Sequence, residues 1–157
     1  MEYTFFWAGP FSQWFKSDFV IDGKKFCTAE QYMMYKKAIH FGDEEIAQKV
    51  MATRDPKIQK ALGRKVKNFV AEEWNRVARQ YVYEGNYAKF TQNPKLLKVL
   101  METGDTILVE ASPYDTIWGI GMGAVEAEKT PPEQWKGTNW LGLEITRVRE
   151  NLLQERP

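Results

Sequence analysis

Glu30 and Lys37 are the two ionisable side chains whose placement invites a chemical reading. Thr28 suits a helix N-cap and Gln31, three residues on, completes a capping box, so a helix is expected to open at Ala29. Glu30 then falls in the first turn. Lys37 lies seven residues later, about two turns or roughly 10 Å up the same face. Met33 and Met34 lie between them, and the gap is too wide for an ion pair but wide enough for a sugar-sized ligand. The same residues also suit a plainer role, Glu30 favouring the helix dipole and Lys37 standing as a solvated lysine. A second set, Asp115 and Trp118, lies in a loop after an expected strand at 106–110, a favoured position for catalytic side chains. Two carboxylates, a lysine and several tryptophans fit hydrolysis at a sugar carbon. Departure from an anomeric carbon builds an oxocarbenium-like cation, which one carboxylate stabilises while another acid or base handles protons. Aromatic faces stack a sugar or base, and the lysine either holds a phosphate or attacks an opened sugar to form a Schiff base.

The rest of the composition narrows the chemistry. The 157 residues suit one domain with its own core, and 43% hydrophobic with 14% aromatic residues argue for a folded globule. The 22 basic and 21 acidic side chains nearly cancel; residues 1–90 hold 15 basic and 11 acidic ones, far from the excess of a dedicated nucleic-acid binder. Cys27 is the only cysteine, which excludes an internal disulfide and a thiolate metal cluster. His40 is the only histidine, so a multi-histidine metal site is impossible and no motif supports a triad around it. No metal and no cofactor is expected. Nothing resembles a leader or a membrane span, and a soluble, cytoplasmic protein with no membrane partner is expected.

The elements that must carry these groups read in order. Tyr3–Trp7 suits a strand, and Phe19–Ile21 and Lys24–Phe26 suit a hairpin around Asp22-Gly23. The first helix should run to about Phe41 and stop at Gly42, with His40 capping or packing. Asp43 caps a second helix and Asp55-Pro56 opens a third, on which Lys57, Lys60, Arg64 and Lys67 form a basic stripe that is either solvated or contacts phosphates. A longer helix from about Val70 buries Trp74, Ala78, Tyr81 and Gly85. Asn93-Pro94 opens a helix that stops at Gly104, a buried strand follows at 106–110, residues 124–137 read as an exposed connector, and a last helix runs from about Asn139 to Leu153. Glycines 119, 121 and 123 lack the dinucleotide-binding spacing and serve tight turning and close backbone approach. The fold class is α+β: a helix-dominated single domain over 1–157 with a small antiparallel sheet.

Short segments in order add to this reading: Phe11-Ser12, Glu30-x-Tyr32 through Lys37-Ala38, Phe41-Gly42-Asp43, Leu62-Gly63-Arg64, Trp74, and Lys89-Phe90 with Gln92-Asn93. They continue through Leu97, Thr103-Gly104-Asp105, Leu108-Val109-Glu110-Ala111-Ser112, Asp115, Ile117-Trp118-Gly119-Ile120-Gly121, Asn139-x-Leu141-Gly142 and Arg147-Val148-Arg149. On these the chain resembles the YbiA-like NADAR (NAD- and ADP-ribose-associated) superfamily along nearly its whole length.

The resemblance implies a YbiA-like fold and an N-glycosidase. Members of the family cleave N-glycosidic bonds in phosphorylated ribosylamino-pyrimidine intermediates of riboflavin synthesis, or between ADP-ribose and guanine. The implied partner is a phosphorylated ribosyl or ADP-ribosyl small molecule, with ADP-ribosylated guanine in DNA as a further branch. A non-catalytic ADP-ribose- or nucleotide-binding module is the alternative. Carried over by position, Glu30 stabilises the oxocarbenium ion or activates water, and Asp115 is its acid/base or ribose-orienting partner. Lys37 binds phosphate or attacks the sugar. Trp118 stacks on substrate; Trp74 is either a pocket wall or core; Lys89, Tyr32 and Asn139 are implied substrate-binding residues. Where the family often has Phe-Ser-Asn-Phe and Glu-His-Tyr, this chain has Phe11-Ser12-Gln13-Trp14 and Glu30-Gln31-Tyr32, which bears on substrate identity more than on reaction type.

Overall fold

In the computed structural model, which describes residues 2–155, the chain divides into two units: Gln13–Leu96, and the chain up to Ser12 together with that from Leu97 on. In order, the first elements are β1 (Tyr3–Phe6), β2 (Phe19–Ile21), β3 (Lys24–Phe26), α1 (Ala29–His40), α2 (Glu44–Met51) and α3 (Pro56–Gly63). There follow α4 (Ala71–Thr91), α5 (Pro94–Met101), β4 (Ile107–Glu110), α6 (Ala124–Glu128), a 3-10 turn (Pro132–Gln134) and α7 (Trp140–Glu155).

In the Gln13–Leu96 unit, β2 and β3 pair antiparallel with Phe19 opposite Phe26. Asp22 (φ 51°) and Gly23 (φ 77°) turn the hairpin in the left-handed region that Asp-Gly tolerates. The hairpin's inner face, Phe19 and Phe26, packs with Tyr32 of α1 and Ala88 of α4 in one buried cluster. α1 lies against α2, α3 and α4, so its register fixes the unit. Each short helix is started by its expected cap: Asp43 Oδ1 accepts from the Ile46 N–H (3.1 Å), and Asp55 Oδ1 from the Lys57 N–H (2.9 Å). His40, in the last turn of α1, ties that helix to α4, with Nε2 2.9 Å from Glu73 Oε1 and Nδ1 3.2 Å from the Tyr81 hydroxyl.

In the other unit, β1 and β4 form a parallel pair, with Tyr3 beside Ile107 and Phe6 beside Glu110. The small sheet expected as antiparallel is thus two two-stranded sheets among the described residues, one antiparallel and one parallel. Parallel strands need a long crossover, and here the whole of Gln13–Leu96 lies between them in sequence, so no local turn signal announces the pairing. Val109, Ile120, Met122 and Ala127 form one buried cluster, with Tyr3, Phe5, Ile107 and Trp135 against them. The 124–137 stretch is not an open connector: it folds into α6 and the 3-10 turn. The Trp135 indole N–H donates to the Ala127 and Thr130 carbonyls (both 3.2 Å) and holds that segment on the core. Lys67 also falls outside expectation, since α3 ends at Gly63 and the stripe of Lys57, Lys60 and Arg64 stops there.

Candidate active site

A buried polar network fixes where Glu30 stands. The Thr28 hydroxyl caps α1 by accepting the Gln31 N–H (2.9 Å) and itself donates to Gln59 Oε1 (2.6 Å). The Gln59 amide donates to the Thr53 carbonyl (2.8 Å), and the Gln31 amide to those of Val50 (3.1 Å) and Thr53 (3.2 Å). The capping box closes one residue early: Gln31 Oε1 accepts from the Cys27 N–H (2.7 Å) instead of that of Thr28. Thr28, Gln31 and Gln59 are all buried, so each bond forms in low dielectric and leaving one unmade is costly. Glu30 is anchored through its own N–H, which donates to the Gln13 carbonyl (3.0 Å), while Gln13 Oε1 accepts from Asn86 of α4 (2.9 Å). Its carboxylate therefore sits in the first turn of α1, where the helix dipole favours negative charge, and the residue is only 7% exposed.

Lys37 stands two turns along the same helix and is half-buried. Burial pushes its amine below the ordinary lysine range; the charge of Glu30 opposes that and the charge of Arg64 reinforces it. Glu30 and Lys37 are thus electrostatically coupled, with Arg64, the C-cap of α3, as a third member. A fourth member is Phe69, whose ring centroid is 4.5 Å from Lys37 Nζ. Neither Arg64 nor Phe69 stood among the expected site residues. Arg64 carried a signal, as the end of the basic stripe and of the Leu62-Gly63-Arg64 segment, but Phe69 carried none.

The other expected residues of this unit are placed differently. Lys89 is fully buried, with Nζ 5.8 and 5.1 Å from the Phe15 and Phe90 ring centroids, and burial pushes its amine down to about 7. Trp74 is buried and stacked on Tyr81 at 5.8 Å. Tyr32 points into the Phe19–Phe26 cluster and its hydroxyl donates to Glu84 Oε1 (2.9 Å); burial and that carboxylate raise its pKa strongly. Tyr32 is thus held by packing and by that carboxylate.

In the unit that contains β4, Asp115 and Trp118 share one tight turn. Asp115 Oδ1 accepts the N–H groups of Ile117 (2.9 Å) and Trp118 (2.8 Å), and the Trp118 ring meets Trp140 edge-on at 5.6 Å. The turn is sewn to the start of α7: the N–H groups of Thr138, Asn139, Trp140 and Leu141 donate to the carbonyls of Thr116, Gly119, Ile117 and Trp118. Asn139 is the pin. Its amide oxygen accepts the Glu110 N–H (2.9 Å) and its amide nitrogen donates to the Leu108 carbonyl (3.0 Å). Both ends of that side chain are engaged with β4, which pins the loop to the strand.

Among the described residues no group of three or more His, Cys, Asp or Glu is placed to hold a metal ion, and no helix is long and apolar enough to cross a membrane. What the geometry offers is a fixed carboxylate coupled to an amine that gives up its proton more readily than a solvated lysine does.

The NADAR domain family matches residues 5–153. A protein of Acanthamoeba polyphaga mimivirus named N-glycosidase R617 is 45% identical over 145 residues, covering 89% of this chain and 85% of that protein. N-glycosidase Npun_R5314 of Nostoc punctiforme is 31% identical over 144 residues, covering 92% and 85%. The solution structure of the Escherichia coli protein YbiA superposes with a TM-score of 0.80 at 27% identity, over 98% of this chain and 86% of that one.

Proposed function

Because the chain belongs to the NADAR family, we propose that it is an N-glycosidase acting on a phosphorylated ribosyl compound. The observation that carries this reading is the coupled pair on α1, Glu30 in the first turn and a half-buried Lys37 whose amine is shifted toward its neutral form. In the reaction the C1′–N bond breaks and its electron pair goes to the base nitrogen, which takes up a proton. Water supplies hydroxide to C1′ and yields its other proton to a carboxylate. Glu30 is assigned the developing cation or the water. Lys37 is assigned the phosphate, or the sugar carbon through a Schiff base. Asp115 and Trp118 are assigned an acid/base or ribose-orienting role and a stacking role, and Lys89 a contact with substrate.

Two substrate classes fit, a ribosylamino-pyrimidine phosphate and ADP-ribosylated guanine, free or in DNA. The exposed stripe of Lys57, Lys60 and Arg64 gives the nucleic-acid branch its support. The test is release of free base or amine from both classes by the purified chain, followed by chromatography, with Glu30→Gln and Asp115→Asn beside it. Turnover of one class that is lost in both variants, without loss of fold, supports the reading. Tight binding with no product over long incubation turns it toward a non-catalytic ADP-ribose-binding module. Full activity in both variants overturns the residue assignment.

A further inference from the structure

Phe69 is an exposed aromatic ring, 42% accessible, on the connector between α3 and α4. Burial does not account for its position, but three other features do. Its ring centroid lies 4.5 Å from Lys37 Nζ, well inside the range over which a ring face attracts an ammonium. Its edge meets Phe41 at 5.4 Å and 65°, and Phe41 stands one turn beyond Lys37 on the same side of α1. The connector is also built to hold it. Val66 is buried, the Lys67 N–H donates to Asp43 Oδ2 (2.9 Å), and Asn68 takes the left-handed conformation (φ 61°) just before the ring. One carboxylate, Asp43, thus caps α2 and anchors the connector that presents Phe69.

We propose that Phe69 is a positioning residue for Lys37, its ring face fixing the direction of the ammonium by cation–π attraction. The proposal rests on the participation of Lys37 in the reaction read above. The charged groups that act on this amine are Glu30 from α1, which favours the ammonium, and Arg64 from the end of α3, which disfavours it. On α4, Glu73 is engaged with His40 and Arg76, and on the connector the charge of Lys67 acts on Asp43. The ring therefore works on the same side as Glu30, and it does so without adding a charge near the substrate's own anionic groups. Without the ring, Lys37 keeps its carboxylate neighbour but loses direction, and it loses its proton at lower pH.

The test uses the full chain and the variants Phe69→Leu, Phe69→Tyr and Phe69→Trp. Competitive acetylation of lysines between pH 6 and 11, read by peptide mass spectrometry, gives the titration midpoint of Lys37, with exposed Lys95 as internal reference. In Phe69→Leu the Lys37 midpoint should fall by about 0.5 pH unit while Lys95 stays fixed, and Phe69→Tyr and Phe69→Trp should restore it. The limb of the kcat–pH profile that reports Lys37 should move to lower pH by the same amount, the alkaline limb where the ammonium holds phosphate and the acid limb where the free amine attacks the sugar, with kcat changing more than KM. A Lys37 midpoint in Phe69→Leu within about 0.2 unit of wild type, or one that Tyr and Trp fail to restore, overturns the proposal. Labelling needs no turnover: a wild-type chain without glycosidase activity sinks the functional reading and leaves the midpoint result standing.

Discussion

Replacing Lys89 by methionine should remove a pH dependence of stability that the wild type carries. The Lys89 amine is fully buried, and burial takes it from an ordinary 10.5 to about 7. Each pH unit of that interval corresponds to about 1.36 kcal/mol, so a charged Lys89 destabilises the fold by at most about 4–5 kcal/mol. The attraction of the Phe15 and Phe90 rings, 5.8 and 5.1 Å away, offsets part of this. Above pH 10.5 the amine is neutral in both the folded and the unfolded chain. Between 10.5 and about 7 only the unfolded chain binds the proton, so stability falls as pH falls; below about 7 both hold it and the loss is complete. Methionine fills a similar volume with no charge. The measurement is urea unfolding of both proteins at several values between pH 6.5 and 10. The stability difference should shift in favour of methionine by a few kcal/mol as pH falls from 10 to 6.5. A gap that stays constant across that range would refute the burial argument. Turnover should fall in the same variant, as the substrate role proposed for Lys89 requires.

Three further perturbations follow from the positioning elements. Thr28→Ala removes the cap of α1 and strands the Gln59 amide oxygen in the core, so chemical denaturation should show a loss of about 2–3 kcal/mol, most of it restored in Thr28→Ser. In Asp43→Ala, α2 loses its cap and the Phe69 connector its anchor, and the melting temperature should fall. The backbone N–H groups of Lys67 and Ile46 hold the Asp43 carboxyl below the usual carboxylate range, which is stability present at neutral pH and lost as the carboxyl is protonated in acid. The acid limb of the stability–pH curve should therefore flatten in Asp43→Ala. In Gly142→Ala, the new Cβ would meet the Leu108 carbonyl and the Asn139 amide oxygen, because the α7 backbone comes close to the β4 backbone at that point. A loss of about 1–3 kcal/mol is expected in thermal unfolding, and an unchanged melting temperature would show that the approach is looser than described.

The parts legible in the sequence are those governed by local chemistry. Thr28, Asp43 and Asp55 each sit where a side-chain oxygen meets the N–H of a helix two or three residues on, and all three caps form. The Asp22-Gly23 hairpin follows from two residues that accept positive φ. Helical period alone puts Glu30 and Lys37 on one side of α1. What the sequence conceals is whatever depends on partners far along the chain. The β1–β4 pairing joins residues about a hundred positions apart, with no turn signal between them. The 124–137 stretch, polar and proline-bearing, looks open until Trp135 is seen holding it through two carbonyls. Lys67 fits the basic period of α3, but the helix ends four residues earlier and its backbone goes to Asp43.

The candidate site was legible in a different sense, because a family resemblance names residues without separating those that act from those that hold. The destination of each polar atom shows which of them the fold itself engages. Asn139 gives its oxygen and nitrogen to β4. Arg149 is 1% exposed and bonds the Thr103 hydroxyl and the Thr106 carbonyl, which makes the Arg147-Val148-Arg149 segment a clasp on the turn before β4. Tyr32 gives its hydroxyl to Glu84. All three match the resemblance and all three are engaged internally. Lys37 and Lys89 are of another kind, since each carries an amine that burial makes easier to deprotonate. Phe69 completes the contrast. It has no period, cap or motif to announce it, and it is identified only because an exposed ring is built, through Asp43, Asn68 and Phe41, onto the amine of Lys37.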